Sequence, residues 1–341
     1  MRRPLSGRTF FGKACQEVNT PFSKHLFCAT FTNTGKPAAP MRTKPVFKLQ
    51  LLLVIAALLP LVAPSLVRAD SFPPLNAPAT TTHVTGKLLW ADLFTNDPDA
   101  ATKFYTGLLG WTAKPLEQKG KGYVIFSSGG RPVAGLAPRS VKGEGHPSRW
   151  IGYYAVADID ATLALVTKNG GTVRAPSRNF PDRGLQAIVS DKDDIPIGIL
   201  QSSSGDSPDI AVTPGDWNWF ELYVKSPKEA SDYYHDVFGF DVAPETSADR
   251  KSDFVLSSSG EARGGVAPLP DAKDSKPSWL GVLRVANLDE SLAKVPTLGG
   301  EVLVAPHSVE FGSRFAIILD STGGTVGLVQ YMDTANPANS Q

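Results

Sequence analysis

Cysteine is almost missing: the 341 residues contain two, Cys15 and Cys28, both near the N-terminus. From residue 70 onward there is none, so the body of the chain is not disulfide-stapled and suits either redox compartment. An excess of charge is missing as well, with 34 Lys+Arg against 33 Asp+Glu. That balance hides a division. Ten of the basic residues and one acid, Glu17, lie in residues 1–69, which leaves 24 basic and 32 acidic residues for the rest. A body of net charge −8 lacks the clustered Lys/Arg that nucleic acid or an anionic membrane requires, which argues against both as partners. The apolar run at residues 51–59 stops at Pro60, well short of the roughly 20 residues that span a bilayer. There is no HExxH or His-x-His pattern and no Ser nucleophile elbow. Gly129-Gly130 and Gly264-Gly265 have turn-like settings without the following helix that would place them on a phosphate.

What is present begins with a leader. Met41 is followed by Arg42, Lys44 and Lys48, then by the short apolar run, then by Val67-Arg68-Ala69 before Asp70. That order reads as a secretory signal peptide over 41–69, starting at Met41 and cleaved after Ala69, for a secreted or periplasmic protein with no membrane attachment after cleavage. Residues 1–40 read as an extension ahead of the true start, the rival being an organelle transit segment. A stretch rich in Pro, Ala and Thr at 71–82 reads as a flexible tether inside a linker at 70–85.

The body repeats itself. Trp90 and Trp219, Phe104-Tyr105 and Tyr233-Tyr234, Gly110 and Gly239, Trp150 and Trp279, Asp191 and Asp320, and Gln201 and Gln330 are each 129 positions apart. The chain is therefore a tandem duplication, with domains at 86–201 and 216–332, a Ser/Gly/Asp/Pro linker at 202–215 and a tail at 333–341. Each copy is halved again. Asp97-Pro98 opens one helix and Ser226-Pro227-Lys228-Glu229 its counterpart, the latter as a capping box; Asp158, and Asn287 with Glu290, open the second helix of each copy. Short alternating segments such as 123–127 and 133–137 read as strands. Four βαβββ units follow, an α+β class in which each unit is too small to bury its sheet face alone.

The segments LLWADLFTNDPDAATKFYTGLLGW, WIGYYAVADIDATLALVTKNGGTV and WNWFELYVKSPKEASDYYHDVFGF resemble the vicinal oxygen chelate superfamily of glyoxalase I, bleomycin-resistance proteins and extradiol dioxygenases. The likeness is to its tandem, two-domain glyoxalase-like branch and covers about residues 86–332. It implies curled mixed sheets around clefts and, in catalytic members, a divalent metal held mostly by His and Glu with positions open to substrate oxygens. Carried over one position at a time, the implied donor sites fall on Trp90, Ala134 or Gly135, Ile151 and Gly198, then on Trp219, the Arg263-Gly264 region, Leu280 and Gly327. None is a metal donor. His83 in the tether, His146 in a loop, His235 on a helix and His307 in a loop do not rebuild such a site, so no metal and no other cofactor is expected.

Strand alternation puts Asp92 on the side of Trp90, and Glu221 on that of Trp219. Each acid beside an indole reads either as a general base or ligand contact, or as a structural group paired within the core. Trp90, Tyr123, Trp150, Tyr154, Trp219 and Trp279 are the candidate ligand-binding residues, with core packing as the competing role. Arg183 and Arg314 precede strands, where solvent is the ordinary neighbour and an anionic ligand the other. The expectation is an exported protein binding a small molecule in metal-free clefts. A metal-dependent lyase or dioxygenase, and a metal-independent isomerase or lyase using Asp92 or Glu221, remain the alternatives. Internal pairing of the copies suits a monomer.

Overall fold

A computed structural model of the chain describes residues 72–116, 122–139, 147–245, 253–271, 275–309 and 313–331. The readings on 1–40, 41–69, Met41, Cys15, Cys28, His146 and the tail at 333–341 lie outside the described residues. The first copy runs β1 (Leu88–Thr95), α1 (Pro98–Leu109), β2 (Thr112–Leu116), β3 (Tyr123–Ser128), β4 (Arg131–Pro138), β5 (Arg149–Ala155), α2 (Ile159–Lys168), β6 (Thr172–Phe180), β7 (Gly184–Ser190) and β8 (Pro196–Ser202). The second repeats it as β9 (Trp217–Val224), α3 (Pro227–Phe238), β10 (Asp241–Pro244), β11 (Phe254–Ser258), β12 (Glu261–Pro268), β13 (Ser278–Arg284), α4 (Leu288–Thr297), β14 (Glu301–Ser308), β15 (Arg314–Leu319) and β16 (Thr325–Gln330). Among the described residues no helix is long and apolar enough to cross a membrane.

The helices start where local chemistry directs. Asp97 accepts the Ala100 amide at 3.0 Å, Pro98 fills the first helical position, and Gly110 closes α1 with φ 68°. Buried Ala101, Phe104, Tyr105 and Leu108 then form one face at helical spacing. Asn287 caps α4 in the same way, its Nδ2 also donating to Glu290 Oε1 at 2.8 Å. The capping box expected at Ser226 does not form. Ser226 makes no side-chain cap bond, and Glu229 instead faces Lys192 at 3.4 Å.

Each copy forms one eight-stranded mixed sheet, ordered β2-β3-β4-β1-β5-β8-β7-β6 and β10-β11-β12-β9-β13-β16-β15-β14. The first strand of each half pairs parallel with the last strand of that half, and the two halves join along an antiparallel β1–β5 or β9–β13 seam. Neither sheet closes, and the result is two tandem domains of the expected α+β class. The outer strands β6 and β14 lack a sequence signal because most of their side chains are exposed and so show no apolar alternation. His307, expected in a loop, lies on β14.

The core crosses between copies. One cluster joins Leu93, Phe104 and Trp111 of the first copy to Leu288, Val295 and Ile318 of the second. The other joins Ile159, Val166 and Val189 to Leu222, Tyr234 and Phe240. Helix α1 accordingly packs on α4, and α2 on α3. Two matching polar links join the copies: Tyr105 Oη donates to Asp320 Oδ2 at 2.8 Å, and Tyr234 Oη to Asp191 Oδ2 at 3.1 Å.

In place of a flexible tether, residues 72–85 are docked against the start of the 202–215 linker that follows the first copy. The amides of Leu75 and Asn76 donate to Ser204 Oγ at 3.1 and 3.2 Å, Thr80 N donates to Ser204 O at 2.9 Å, and Val84 N donates to Asp206 Oδ2 at 2.7 Å. Composition alone missed this because backbone amides, which every sequence carries, make these bonds.

Candidate functional site

The face of the first sheet opposite the helices carries a buried cluster built on β1, β3, β5 and β8. Trp90, Ile125, Tyr153 and Leu200 supply its apolar floor, and Asp92 sits among them. Asp92 Oδ1 accepts from Trp90 Nε1 at 2.7 Å and from Tyr123 Oη at 2.5 Å. Arg183 is wholly buried, its guanidinium 3.9 Å from the centroid of the Trp90 ring. Its expected exposure to solvent is thus corrected: the turn before β7 folds inward, where an indole face and a nearby carboxylate stabilise the cation. The pair share an electrostatic field without a direct salt bridge.

Burial pushes the Asp92 carboxyl up from its ordinary value, against the opposing pull of Tyr123, Arg183 and Trp90. Burial also pushes the Tyr123 hydroxyl well up, with the charge of Asp92 acting in the same direction. Because a carboxyl with a raised native pKa holds its proton longer in the folded state, its contribution to stability is full below the unfolded value and is lost as pH rises through the folded one. Asp92→Asn removes that titration. The variant should be less stable throughout, since Arg183 is then buried without its anion, but its deficit relative to the natural chain should narrow as pH rises above the ordinary carboxylate range. Urea titrations between pH 4 and 8 measure this. A deficit that widens means that Arg183, not burial, governs Asp92.

Three of the candidate ligand contacts point elsewhere. Trp150 pairs with Leu93 and Trp279 with Leu222, both on the helix side, and their indoles donate to Tyr105 Oη at 2.7 Å and to Tyr234 Oη at 3.0 Å. Tyr154 packs against Phe220, Phe240 and Trp279 in the shared core. On β5 the residue that joins the cluster is Tyr153, opposite Trp90, and Tyr154 beside it faces the other way. Trp90 and Tyr123 do meet Asp92, and Trp219 Nε1 donates to Glu221 Oε2 at 2.6 Å on the corresponding face of the second sheet. There Trp219 is only half-buried, and burial together with the Glu221 charge pushes Tyr223 up to about 12.

The residues at the implied donor positions do not fit a four-ligand metal. A Cβ at Gly135 would overlap the Tyr123 hydroxyl and the Asp92 carboxylate, and one at Gly198 the Tyr153 ring. In the second copy a Cβ at Gly327 would lie 2.8 Å from the Phe315 ring. Ile151 and Leu280 flank the two acids as apolar side chains, and Arg263 is engaged with Asp209 at 2.7 Å. Among the described residues no three His, Cys, Asp or Glu side chains converge. His83 lies 3.6 Å from Asp206, while His235 and His307 face the carbonyls of Phe240 and Ala305.

The same face of the first sheet also opens into a hollow of about 310 Å³. Phe94, Ile151, Ile188 and Pro196 form its floor, and Arg139, Arg149, Arg174 and Asp194 its rim. Arg174 pairs with Asp194, Arg139 donates to the Pro147 carbonyl at 2.9 Å, and Arg149 is exposed with no ion-pair partner among the described residues. Arg149 also disfavours the charge on Arg139, which burial already lowers. The sequence reading missed this rim because its three arginines come from β5, β6 and the residue after β4, whose proximity only the sheet order creates.

The family model described as the Glyoxalase/Bleomycin resistance protein/Dioxygenase superfamily matches residues 83–199 and 217–328. The chain is similar to the "Putative glyoxylase CFP32" of Mycobacterium tuberculosis, with 30% identity over 244 residues, covering 71% of this chain and 93% of that protein. It is also similar to the anthracycline biosynthesis protein DnrV of Streptomyces peucetius, with 28% identity over 258 residues, covering 72% of this chain and 93% of that one. Among solved structures, the Mn(II)-bound glyoxalase from Novosphingobium aromaticivorans superposes with a TM-score of 0.51 at 16% identity, covering 73% of this chain and 83% of the other.

Proposed function

The chain belongs to the Glyoxalase/Bleomycin resistance protein/Dioxygenase superfamily, and from that premise we propose that it is an exported member that binds a small molecule without a resident metal. One observation carries the reading: where relatives would need donor side chains, this chain has glycines whose side-chain space is filled by Tyr123, Tyr153 and Phe315. Beside the filled positions of the first copy lies the open hollow, with an apolar floor for a flat or branched ligand and Arg149 for an acidic group. Export rests on the order of charge, apolar run and small residues from Met41 to Ala69. The N-terminal residue of the purified exported chain should be Asp70.

The test has two parts. Metal analysis of the purified chain should find zinc, nickel, manganese and iron far below one equivalent, and a stoichiometric metal overturns the proposal. A thermal-shift screen with dicarbonyls, catechols, thiol adducts and aromatic antibiotics should yield ligands that raise the melting temperature, because whatever binds only the folded state stabilises it. Arg149→Ala should weaken acidic ligands about tenfold, the loss of one charge-assisted hydrogen bond. The metal-independent isomerase or lyase reading retains Glu221, whose Trp219 neighbour is half-exposed. Asp92 is less suited to it, being enclosed by two donors and a third aromatic wall.

A further inference from the structure

The third wall is Phe72. Its ring is buried and meets Tyr123 edge-on at 4.8 Å and Phe180 at 5.0 Å, with the Arg183 guanidinium 5.2 Å from its centroid. Pro73, the next residue, offers its carbonyl to Arg183 Nε and Nη2, at 3.4 and 3.3 Å. Those contacts are long for hydrogen bonds to a guanidinium, and Nη1 of this wholly buried side chain has no hydrogen-bond partner among the described residues. A buried cation with one donor idle and two stretched is a built receptor for an acceptor better than an amide carbonyl.

We infer that this end of the first cleft is a binding site for a flat aromatic ring bearing a carboxylate, and that the chain's own Phe72 and Pro73 occupy it as an internal competitor. The ring would take the place of the Phe72 side chain between Tyr123 and Phe180. The carboxylate would take the place of the Pro73 carbonyl, presenting two oxygens to the fork of Arg183. The inference rests on the reading of the first cleft as a small-molecule site and adds the ligand class and the occupant.

The segment is suited to leave. Beyond the apolar contacts of Phe72 and Leu75 it is held by polar bonds to Ser204 and Asp206, and a second hollow of about 570 Å³ lies along it, lined by Phe72, Pro73, Pro74, Ala79, Asp182 and Ser203 among others. Water can replace those polar bonds when the segment lifts. A ligand that needs the vacated site binds with an affinity reduced by the fraction of molecules in which the site is open.

The probe is phenylacetate on the full chain, with phenol and acetate as the ring-only and anion-only controls. Calorimetry should find phenylacetate tighter on Phe72→Ala than on the natural chain by about tenfold or more, with Phe72→Leu intermediate. The controls should be weaker than phenylacetate on every variant, which separates recognition by Arg183 from mere filling of the space a missing phenyl leaves. On the unaltered chain, saturating phenylacetate should speed hydrogen exchange at the Leu75, Asn76 and Thr80 amides, whose acceptors lie on Ser204. Equal affinity for the natural chain and both Phe72 variants overturns the inference, as does exchange that is unchanged or slowed. If Arg149→Ala alone abolishes binding, the ligand sits in the open hollow, so the functional proposal stands and this inference falls. A chain that binds no member of the wider ligand panel and carries stoichiometric metal removes both.

Discussion

Alanine at Gly135 should destabilise the protein by about 3 kcal/mol or more, read as a lowered urea midpoint with an unchanged slope. The new methyl group would enter the space held by the Tyr123 hydroxyl and Asp92 Oδ1, and neither can step aside freely. Tyr123 is enclosed by Phe72, Trp90 and Ile125, and the hydroxyl–carboxylate bond it would have to break is itself worth roughly 1.5–3 kcal/mol. In a Tyr123→Phe background the hydroxyl is gone, so the added penalty of the alanine should shrink. If alanine is tolerated equally in both backgrounds, the space beside Asp92 is not filled, and the structural case against a donor at this position fails. The same overlap explains why a carboxylate introduced at 135 should not restore a metal ligand: there is no volume for it to enter.

Asp320→Ala should cost about 3–5 kcal/mol, because one side chain serves two structures. Its Oδ1 closes the β15–β16 turn by accepting from the amides of Thr322 at 2.7 Å and Gly324 at 2.9 Å, while its Oδ2 accepts a hydrogen bond from the Tyr105 hydroxyl of the other copy. Truncation leaves a buried phenol without an acceptor in the shared core. A double-mutant cycle of Tyr105→Phe with Asp320→Asn isolates the cross-copy part, for which a coupling of about 1–2 kcal/mol is expected. Coupling near zero means that the turn alone needs Asp320. Since the two helix-side hydrophobic clusters draw on both copies, either copy expressed separately would expose a half-core.

Much of the architecture was legible because its signals are local. The Asp97-Pro98 start, the Gly110 and Gly239 ends and the Asn287 cap depend on residues within four positions of one another, and they recur after 129 residues. The edge strands β6 and β14 were not legible, for want of a buried face. Among site residues, Trp90 with Asp92 and Trp219 with Glu221 followed from alternation along one strand. Tyr154 was read for Tyr153 because a strand of four consecutive apolar or aromatic residues, Ile151 to Tyr154 with one glycine, gives no sign of which side faces the helices.

By themselves the residues determined the duplication, the four helix starts and the lack of donors at the implied metal positions, all of which depend on side-chain identity and short spacing. Only the tertiary structure decided that Arg183 is buried, that Phe72 packs against Tyr123 and Phe180 and that the two helix-side cores are shared crosswise. Those outcomes arise from contacts between segments about a hundred or more positions apart, as in the Arg183–Pro73 and Tyr105–Asp320 bonds. Such pairings have no local signature, because chain entropy makes them unfavourable until strand register and helix packing have already brought the partners together.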